Sequence, residues 1–304
     1  MLVFKNSGKF RTLQLLVRCL NGKEQFHNED YGRKRRMKID KMELIYFSPT
    51  RTTKNTLMAI AEGLGAGRVE HVDLTPAGTD AGELKEIGGE LVIIGTPVYS
   101  GRVPLSAAKR LQRLKTRGGA AVVVVVYGNR AYEDALLELK NIVAEAGFTP
   151  VAAAAFVGEH SFAGETMPIA NGRPDTEDLR KARAFGRSIR EKMERKGAHV
   201  KPRSLEVPGN FPYKERAKPS RVTPVTRKGA CTACGKCVEF CPVAAITLQN
   251  DSVVSDGNMC ILCCACVKDC PEGARVVEDV TAREKMEKLS ANCRERKEPE
   301  IYLL

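Results

Sequence analysis

The chain carries two runs of four cysteines in the same spacing near its C-terminal end. Cys231, Cys234, Cys237 and Cys241 precede Pro242, and Cys260, Cys263, Cys266 and Cys270 precede Pro271. Each run reads C-x2-C-x2-C-x3-C-P, the spacing that holds a [4Fe–4S] cluster. The two runs use eight of the eleven cysteines, all within 40 residues. A cubane needs four thiolates around one small object, and three cysteines spaced two residues apart can wrap three of its irons. Where two such runs occur together, the fourth cysteine of each ligates the other cluster. The expected ligand sets are therefore Cys231, Cys234, Cys237 with Cys270, and Cys260, Cys263, Cys266 with Cys241. The fixed φ of Pro242 and Pro271 turns the chain away after the last ligand of each run.

Zinc and disulfides are the competing uses of such cysteines. Zinc knuckles are separated C-x2-C pairs rather than three cysteines in seven residues with a fourth before proline. A disulfide framework suits a small secreted domain, and the chain shows no secretory signal. Cys264 lies off the spacing and reads as a bystander, while Cys19 and Cys293 read as ordinary thiols. The runs also form an internal repeat with an offset of 29 residues, each followed by a short strand pattern at residues 245–248 and 274–277. So small a module cannot bury a core of its own, so its folding should depend on iron and sulfide.

Upstream the pattern is α/β. Apolar segments at 44–47, 69–74, 91–94, 120–126 and 151–157 alternate with helical patterns. One helix follows residue 52 and ends near Gly65; another opens after Pro104; a third is closed by Gly147; the last covers 175–196. Residues 120–126 are wholly apolar, as a central parallel strand should be. Five strands alternating with helices predict a doubly wound parallel sheet. The expected organisation is a basic, disordered extension over 1–41, the sheet domain over 42–196, and a proline-rich basic linker over 197–224. The two-cluster module, small and α+β, follows over 225–280, and a charged tail over 281–304 closes the chain.

The formal net charge of +12 narrows on inspection. Residues 1–41 hold eleven Lys and Arg against four Asp and Glu, and two clusters with four thiolates each would bring about −2 apiece. The loaded core is then only mildly basic, and a nucleic-acid partner is not expected. The longest apolar run, 120–127, is far shorter than a membrane span. A cytoplasmic location is expected.

After the first strand comes Ser48-Pro49-Thr50-Arg51-Thr52-Thr53-Lys54-Asn55-Thr56, a hydroxyl-rich turn entering a helix. Such a turn binds phosphate through backbone N–H groups, hydroxyls and the helix dipole. It lacks the glycines that a pyrophosphate requires, so it suits a monophosphate; plain helix capping by Ser and Thr is the alternative. Pro97-Val98-Tyr99-Ser100-Gly101 follows the third strand, and Tyr127-Gly128-Asn129-Arg130-Ala131-Tyr132 follows the fourth. Loops at these strand ends are where ligands bind in this architecture.

These three loops, followed by the two cysteine runs, resemble the fused flavodoxin–ferredoxin proteins of anaerobic prokaryotes. The resemblance covers residues 42–304. It implies a flavodoxin-like five-stranded sheet carrying FMN, with the phosphate on Ser48, Thr50, Thr52 and Thr53. It also implies an isoalloxazine between loops 97–101 and 127–132, and a bacterial-type ferredoxin domain with two [4Fe–4S] clusters. Arg51 departs from the family pattern, standing where glycine is usual, and either crowds the loop or adds a cation for the phosphate. Glu159-His160-Ser161-Phe162 resembles a further loop near the flavin, with His160 read as structural. The implied function is electron transfer between FMN and the clusters, exchanging electrons with redox partner proteins or a small-molecule donor or acceptor. The alternative is a flavin-dependent reductase fed by its ferredoxin domain, for which the sequence offers no acid–base pair. A cluster-based sensor is a third reading, with only the basic N-terminus as effector.

Overall fold

A computed structural model describes residues 39–80, 86–116, 118–196, 204–218 and 220–304. The expectation of disorder before Met42 falls almost wholly outside the described residues. Ile39 is already buried, and the first strand, β1, spans Lys41–Tyr46.

Five parallel strands and four helices then alternate as the periodicity implies. Helix α1 covers Thr52–Leu64, β2 Arg68–Asp73, β3 Leu91–Pro97 and α2 Leu105–Leu111. They are followed by β4 Ala120–Tyr127, α3 Ala135–Glu145, β5 Thr149–Val157 and α4 Thr176–Lys196. The parallel strands lie in the spatial order β5-β4-β3-β1-β2. Read from the other edge this is 2-1-3-4-5, the flavodoxin-like doubly wound order, whose switch point lies between β1 and β3.

Each face of the sheet has its own apolar core. On one face Ile45, Val92, Ile94 and Val123 pack with Ala107, Leu111, Leu136 and Leu139 of α2 and α3. On the other, Leu44, Ile93, Val122 and Phe156 pack with Leu57, Ile60, Phe185 and Ile189 of α1 and α4. Gly63 and Gly186 let α1 and α4 cross closely, since a Cβ on Gly63 would overlap the Arg183 carbonyl and one on Gly186 the Ile60 carbonyl. In β3, a Cβ on Gly95 would lie 2.9 Å from a Leu57 methyl and 3.1 Å from the Thr53 methyl, so glycine there seats the start of α1 against the sheet.

Two features enlarge the expected domain. Residues 204–216 are extended, as a linker should be, yet they pack along α2 and α3. Leu205 is buried, Asp134 accepts from the backbone N–H groups of Asn210 (2.8 Å) and Lys214 (2.7 Å), and Arg216 pairs with Glu138. The tail also returns to the sheet. A strand at Glu300–Leu303 pairs antiparallel with β5, placing Tyr302 opposite Ala153. The sheet therefore has six strands rather than five, and the β5 edge is covered rather than open to pairing with another chain.

The cysteine module is built from short pieces: β6 Val225–Thr226, α5 Lys236–Glu239, β7 Ile246–Gln249, β8 Ser252–Ser255, α6 Ala265–Lys268 and β9 Arg275–Val276. Helix α7, Val280–Asn292, leads to the returning strand, which is β10. The 29-residue repeat is visible in the backbone. Left-handed residues recur in register: Ala233 with Leu262, Gly235 with Cys264, and Ala244 with Gly273. The strands after the runs do not pair with one another; β7 pairs with β8 and β9 with β6. Among the described residues no helix is long and apolar enough to cross a membrane.

Candidate functional site

Left-handed residues recur within each run and turn the chain there. The result is two cavities, each enclosing about 340 Å3 of atom-free space, open mouths included. One is lined by Cys231, Cys234 and Cys237 of the first run with Cys270 of the second. The other is lined by Cys260, Cys263, Cys264 and Cys266 with Cys241 of the first run. The chain thus crosses between its halves as the two-cluster spacing implies.

The thiols face a shared space rather than one point. Among the described residues no three His, Cys, Asp or Glu side chains are placed to hold a single ion, and all ten described cysteines are free of disulfides. Backbone N–H groups already donate to the sulfurs: Ala245 to Cys241 Sγ (3.2 Å), Leu262 to Cys260 Sγ (3.4 Å) and Ala274 to Cys270 Sγ (3.2 Å). A donor set of four thiols with N–H groups on the sulfurs fits an iron–sulfur cube. Burial pushes the Cys263 thiol up to about 12 and that of Cys266 up to about 11. Without metal these groups therefore keep their protons, which iron would displace on binding.

The cavities differ in depth. Around one cavity Cys241, Cys263 and Cys266 are buried and Cys260 half-buried, whereas around the other only Cys237 is buried, Cys231 and Cys270 are half-buried and Cys234 is exposed. The inner cavity is that of Cys241, Cys260, Cys263 and Cys266. Cys264, read as a bystander, takes the left-handed conformation that Gly235 holds in the first run, and it is buried.

The second run is tied to the strand-end loops of the sheet. The guanidinium of Arg51 makes a two-pronged ion pair with Asp269, which follows α6. Lys268 donates to the Ala163 carbonyl (2.6 Å) and pairs with Glu159. Arg110, fully buried on α2, donates to the carbonyl of Pro242 (2.7 Å). Tyr99 is partly exposed as a residue, but its hydroxyl is enclosed beside Cys263 and Cys264, and burial holds its pKa well above the usual phenol range.

At the end of β1, Ser48 Oγ accepts from the Lys54 N–H (3.1 Å), while Ser48 N–H donates to Thr75 Oγ1 (2.8 Å). Thr53 is fully buried, and its Oγ1 has no partner; the same holds for Thr96. Thr50 and Thr52 are half-buried. The first turn of α1 carries no acidic residue, so its N-terminal field is open to an anion. An orphaned hydroxyl at a helix N-terminus fits a phosphate group, although Ser48 is already serving as a cap. Arg51 neither crowds the loop nor faces it. It adopts φ 65°, the left-handed geometry for which glycine is usual, and spends its charge on Asp269.

The other two loops are knitted together. The turn at 99–102 is closed by mutual backbone bonds between Tyr99 and Arg102 (3.0 and 3.1 Å), with Ser100 and Gly101 at positive φ. Pro97 and Val98 are partly buried, and Val98 N–H donates to the Val126 carbonyl (3.0 Å). Gly101 accepts through its carbonyl from the Asp134 N–H (3.1 Å). In the loop after β4, Gly128 lies beneath His160, so closely that a Cβ there would overlap the imidazole. His160 accepts at Nδ1 from the Phe162 N–H (3.1 Å), and burial next to Lys268 and Arg130 lowers its pKa to about 4. It is a neutral structural histidine, in line with its sequence reading.

Tyr127 and Tyr132 are buried edge-to-face, with ring centroids 5.4 Å apart. The Tyr132 hydroxyl donates to Glu300 Oε2 (2.6 Å) and meets the Tyr302 hydroxyl (3.1 Å), so this ring braces β10 instead of offering an open face. Asn129 Nδ2 donates to the carbonyls of Cys293 (2.8 Å) and Glu295 (2.7 Å), and Lys297 bonds the Arg130 carbonyl. The roles of these residues in pinning the tail follow from the unforeseen β10 pairing, and their sequence carries no separate signal for it.

A family model described as a 4Fe-4S binding domain matches residues 224–247, which hold the first cysteine run. A search of curated proteins gave no match. Among solved structures, a flavodoxin from the domain Archaea is similar at 16% identity, over 51% of this chain and 99% of that one, with a TM-score of 0.34. The rubredoxin oxygen:oxidoreductase of the anaerobe Desulfovibrio gigas is similar at 15% identity, over 54% of this chain but only 38% of that longer one, with a TM-score of 0.38. A Fusobacterium nucleatum flavodoxin mutant bound to flavin mononucleotide is similar at 18% identity, over 51% and 97% of the two chains, with a TM-score of 0.36. The chain therefore joins a sheet domain of flavodoxin-like strand order to a module whose first cysteine run matches a 4Fe-4S binding domain.

Proposed function

We propose that this protein moves electrons between FMN and two [4Fe–4S] clusters. The observation that carries the reading is the enclosure of the Tyr99 hydroxyl, from the loop that follows β3, beside Cys263 of the inner cysteine cavity. Bound FMN accepts two electrons and releases them singly, and each cluster carries one. The residues of this chain supply position. Ser48, Thr50, Thr52 and Thr53 would hold the phosphate, with the orphaned Thr53 hydroxyl as its donor. Loops 97–101 and 127–132 would flank the ring. Cys241, Cys260, Cys263 and Cys266 would hold the inner cluster, and Cys231, Cys234, Cys237 and Cys270 the outer one. Tyr99, whose hydroxyl is enclosed beside Cys263, would lie between the ring and the inner cluster.

The exposed side of the outer cavity, at Cys234, is where a redox partner protein or small electron carrier would exchange electrons. A cytoplasmic setting suits eight thiol ligands. The test is anaerobic reduction of the FMN- and cluster-loaded chain with flavin absorbance and cluster EPR followed together. Electrons given to the clusters should appear on the flavin without added mediator. Clusters that reduce and reoxidise while the bound flavin stays oxidised would overturn the proposal.

A further inference from the structure

The two halves of the module are related by the 29-residue repeat, and at one buried position they differ in kind. Ile246 opens β7 after the first run, and its counterpart after the second run is Arg275, which opens β9. Both are buried, Ile246 at 5% exposure and Arg275 at 2%. An apolar residue suffices at that place in one half, so the arginine in the other half is not required by the fold of the repeat.

Its surroundings are those of a cation without a counter-ion. Nη1 donates to Thr226 Oγ1 (2.6 Å) and Nη2 to Ser255 Oγ (2.7 Å), both neutral hydroxyls. Nη2 also lies 4.0 Å from Cys266 Sγ. Nε is buried and has no hydrogen-bond partner. Among the described residues no carboxylate forms an ion pair with it, although 28% of the chain is charged. A buried guanidinium in this state is costly unless a negative group completes the site. Arg275 lines both cysteine cavities, the inner and the outer.

We propose that Arg275 is a positioning residue shared by the two cluster sites: it is their internal counter-ion, with its free Nε–H reserved for a cluster sulfur. This rests on the iron–sulfur part of the function proposed above. A thiolate-bound cube carries about −2 when oxidised and gains a further negative charge on reduction. A fixed cation in a low-dielectric site favours the reduced state, more strongly for the nearer cluster. Contact with Cys266 makes the inner cluster the nearer one. The asymmetry between Ile246 and Arg275 therefore separates the affinities of two otherwise repeated sites for an electron.

The test uses the full chain, purified anaerobically, as wild type, R275K and R275Q. Iron and sulfide are counted per chain, and both one-electron steps are followed by EPR-monitored redox titration. R275Q should lower the reduction equilibrium of one step by on the order of tenfold or more, which is about 59 mV for a one-electron couple, with a smaller fall in the other. R275K, which keeps the charge but not the fork, should recover most of the shift. If R275Q loses iron while R275K holds it, the counter-ion role is supported as well. Unchanged potentials in a fully loaded R275Q would overturn it. So would an R275K that loses iron or potential as fully as R275Q, because charge would then not be what matters. A wild-type chain without iron would remove the function proposed above and this inference with it, which the metal count distinguishes from failure of the inference alone.

Discussion

Replacing Arg110 by methionine should destabilise the folded chain by about 3 kcal/mol, and at most about 7. All five of its N–H donors are engaged. Nε and Nη2 bind the two Asp80 oxygens (2.7 and 2.6 Å), Nη1 binds the carbonyls of Leu74 (2.8 Å) and Thr75 (2.9 Å), and Nη2 binds that of Pro242 (2.7 Å). The Asp80 carboxylate is 59% exposed and regains water when its partner is lost, so that pair contributes under about 1 kcal/mol. The carbonyls of Leu74 and Pro242 are buried, and each orphaned acceptor costs about 1–3 kcal/mol. Methionine keeps most of the packing beside the Phe47 ring, whose centroid is 5.6 Å from the guanidinium carbon. Anaerobic urea unfolding of the loaded chain should show the midpoint falling by about 1 M with little change in slope. R110K, with a charge but no fork, should recover less than half of the loss. A midpoint for R110M within about 0.3 M of wild type would refute the reasoning.

Three further outcomes are expected. The double variant C241S/C263S touches a single cavity and should retain about four irons per chain, whereas C241S/C234S touches both and should retain none; equal iron in the two would contradict the crossing. T53V removes a buried hydroxyl that has no partner and keeps the packed methyl, so it should leave the flavin-free protein at least as stable as wild type while weakening FMN binding roughly tenfold by fluorescence titration. His160 has its pKa lowered to about 4 by burial in the folded state, against about 6.5 when unfolded. Between those values the unfolded chain binds the extra proton, so stability should fall as pH drops from about 6.5 to 4 and be unaffected by this group above that window. The loss is at most about 3 kcal/mol, and denaturant midpoints of H160Q across the same range should be flatter than those of wild type.

Much of this molecule was legible in one dimension because its strongest signals are local. The cysteine spacing implies the crossing, and each cavity gathers cysteines from both runs, the inner one including Cys264 as well. The five parallel strands announced themselves as short apolar runs, and the inward faces of α1 and α4 followed from their helical period. What stayed hidden depends on contacts distant in sequence. Glu300–Leu303 is too short to mark itself as a strand, and it becomes one only because the β5 edge offers a partner. The linker composition reads as extended, which it is, but nothing local says that Asp134 will capture the Asn210 and Lys214 N–H groups. Tyr132 was expected beside a flavin for its aromatic face; the sheet edge claimed it through Glu300. Arg51 departs from the family pattern in sequence, yet its partner lies 218 residues away on Asp269. Arg275 lies within a short strand pattern, and only its alignment with Ile246 across the 29-residue repeat sets it apart.

The account stands most directly on what the folded chain carries. Native mass spectrometry of protein purified without oxygen should show the mass of one chain plus two four-iron, four-sulfide units and one FMN. A chain carrying zinc, a single iron–sulfur unit, or no flavin after incubation with excess FMN would contradict it.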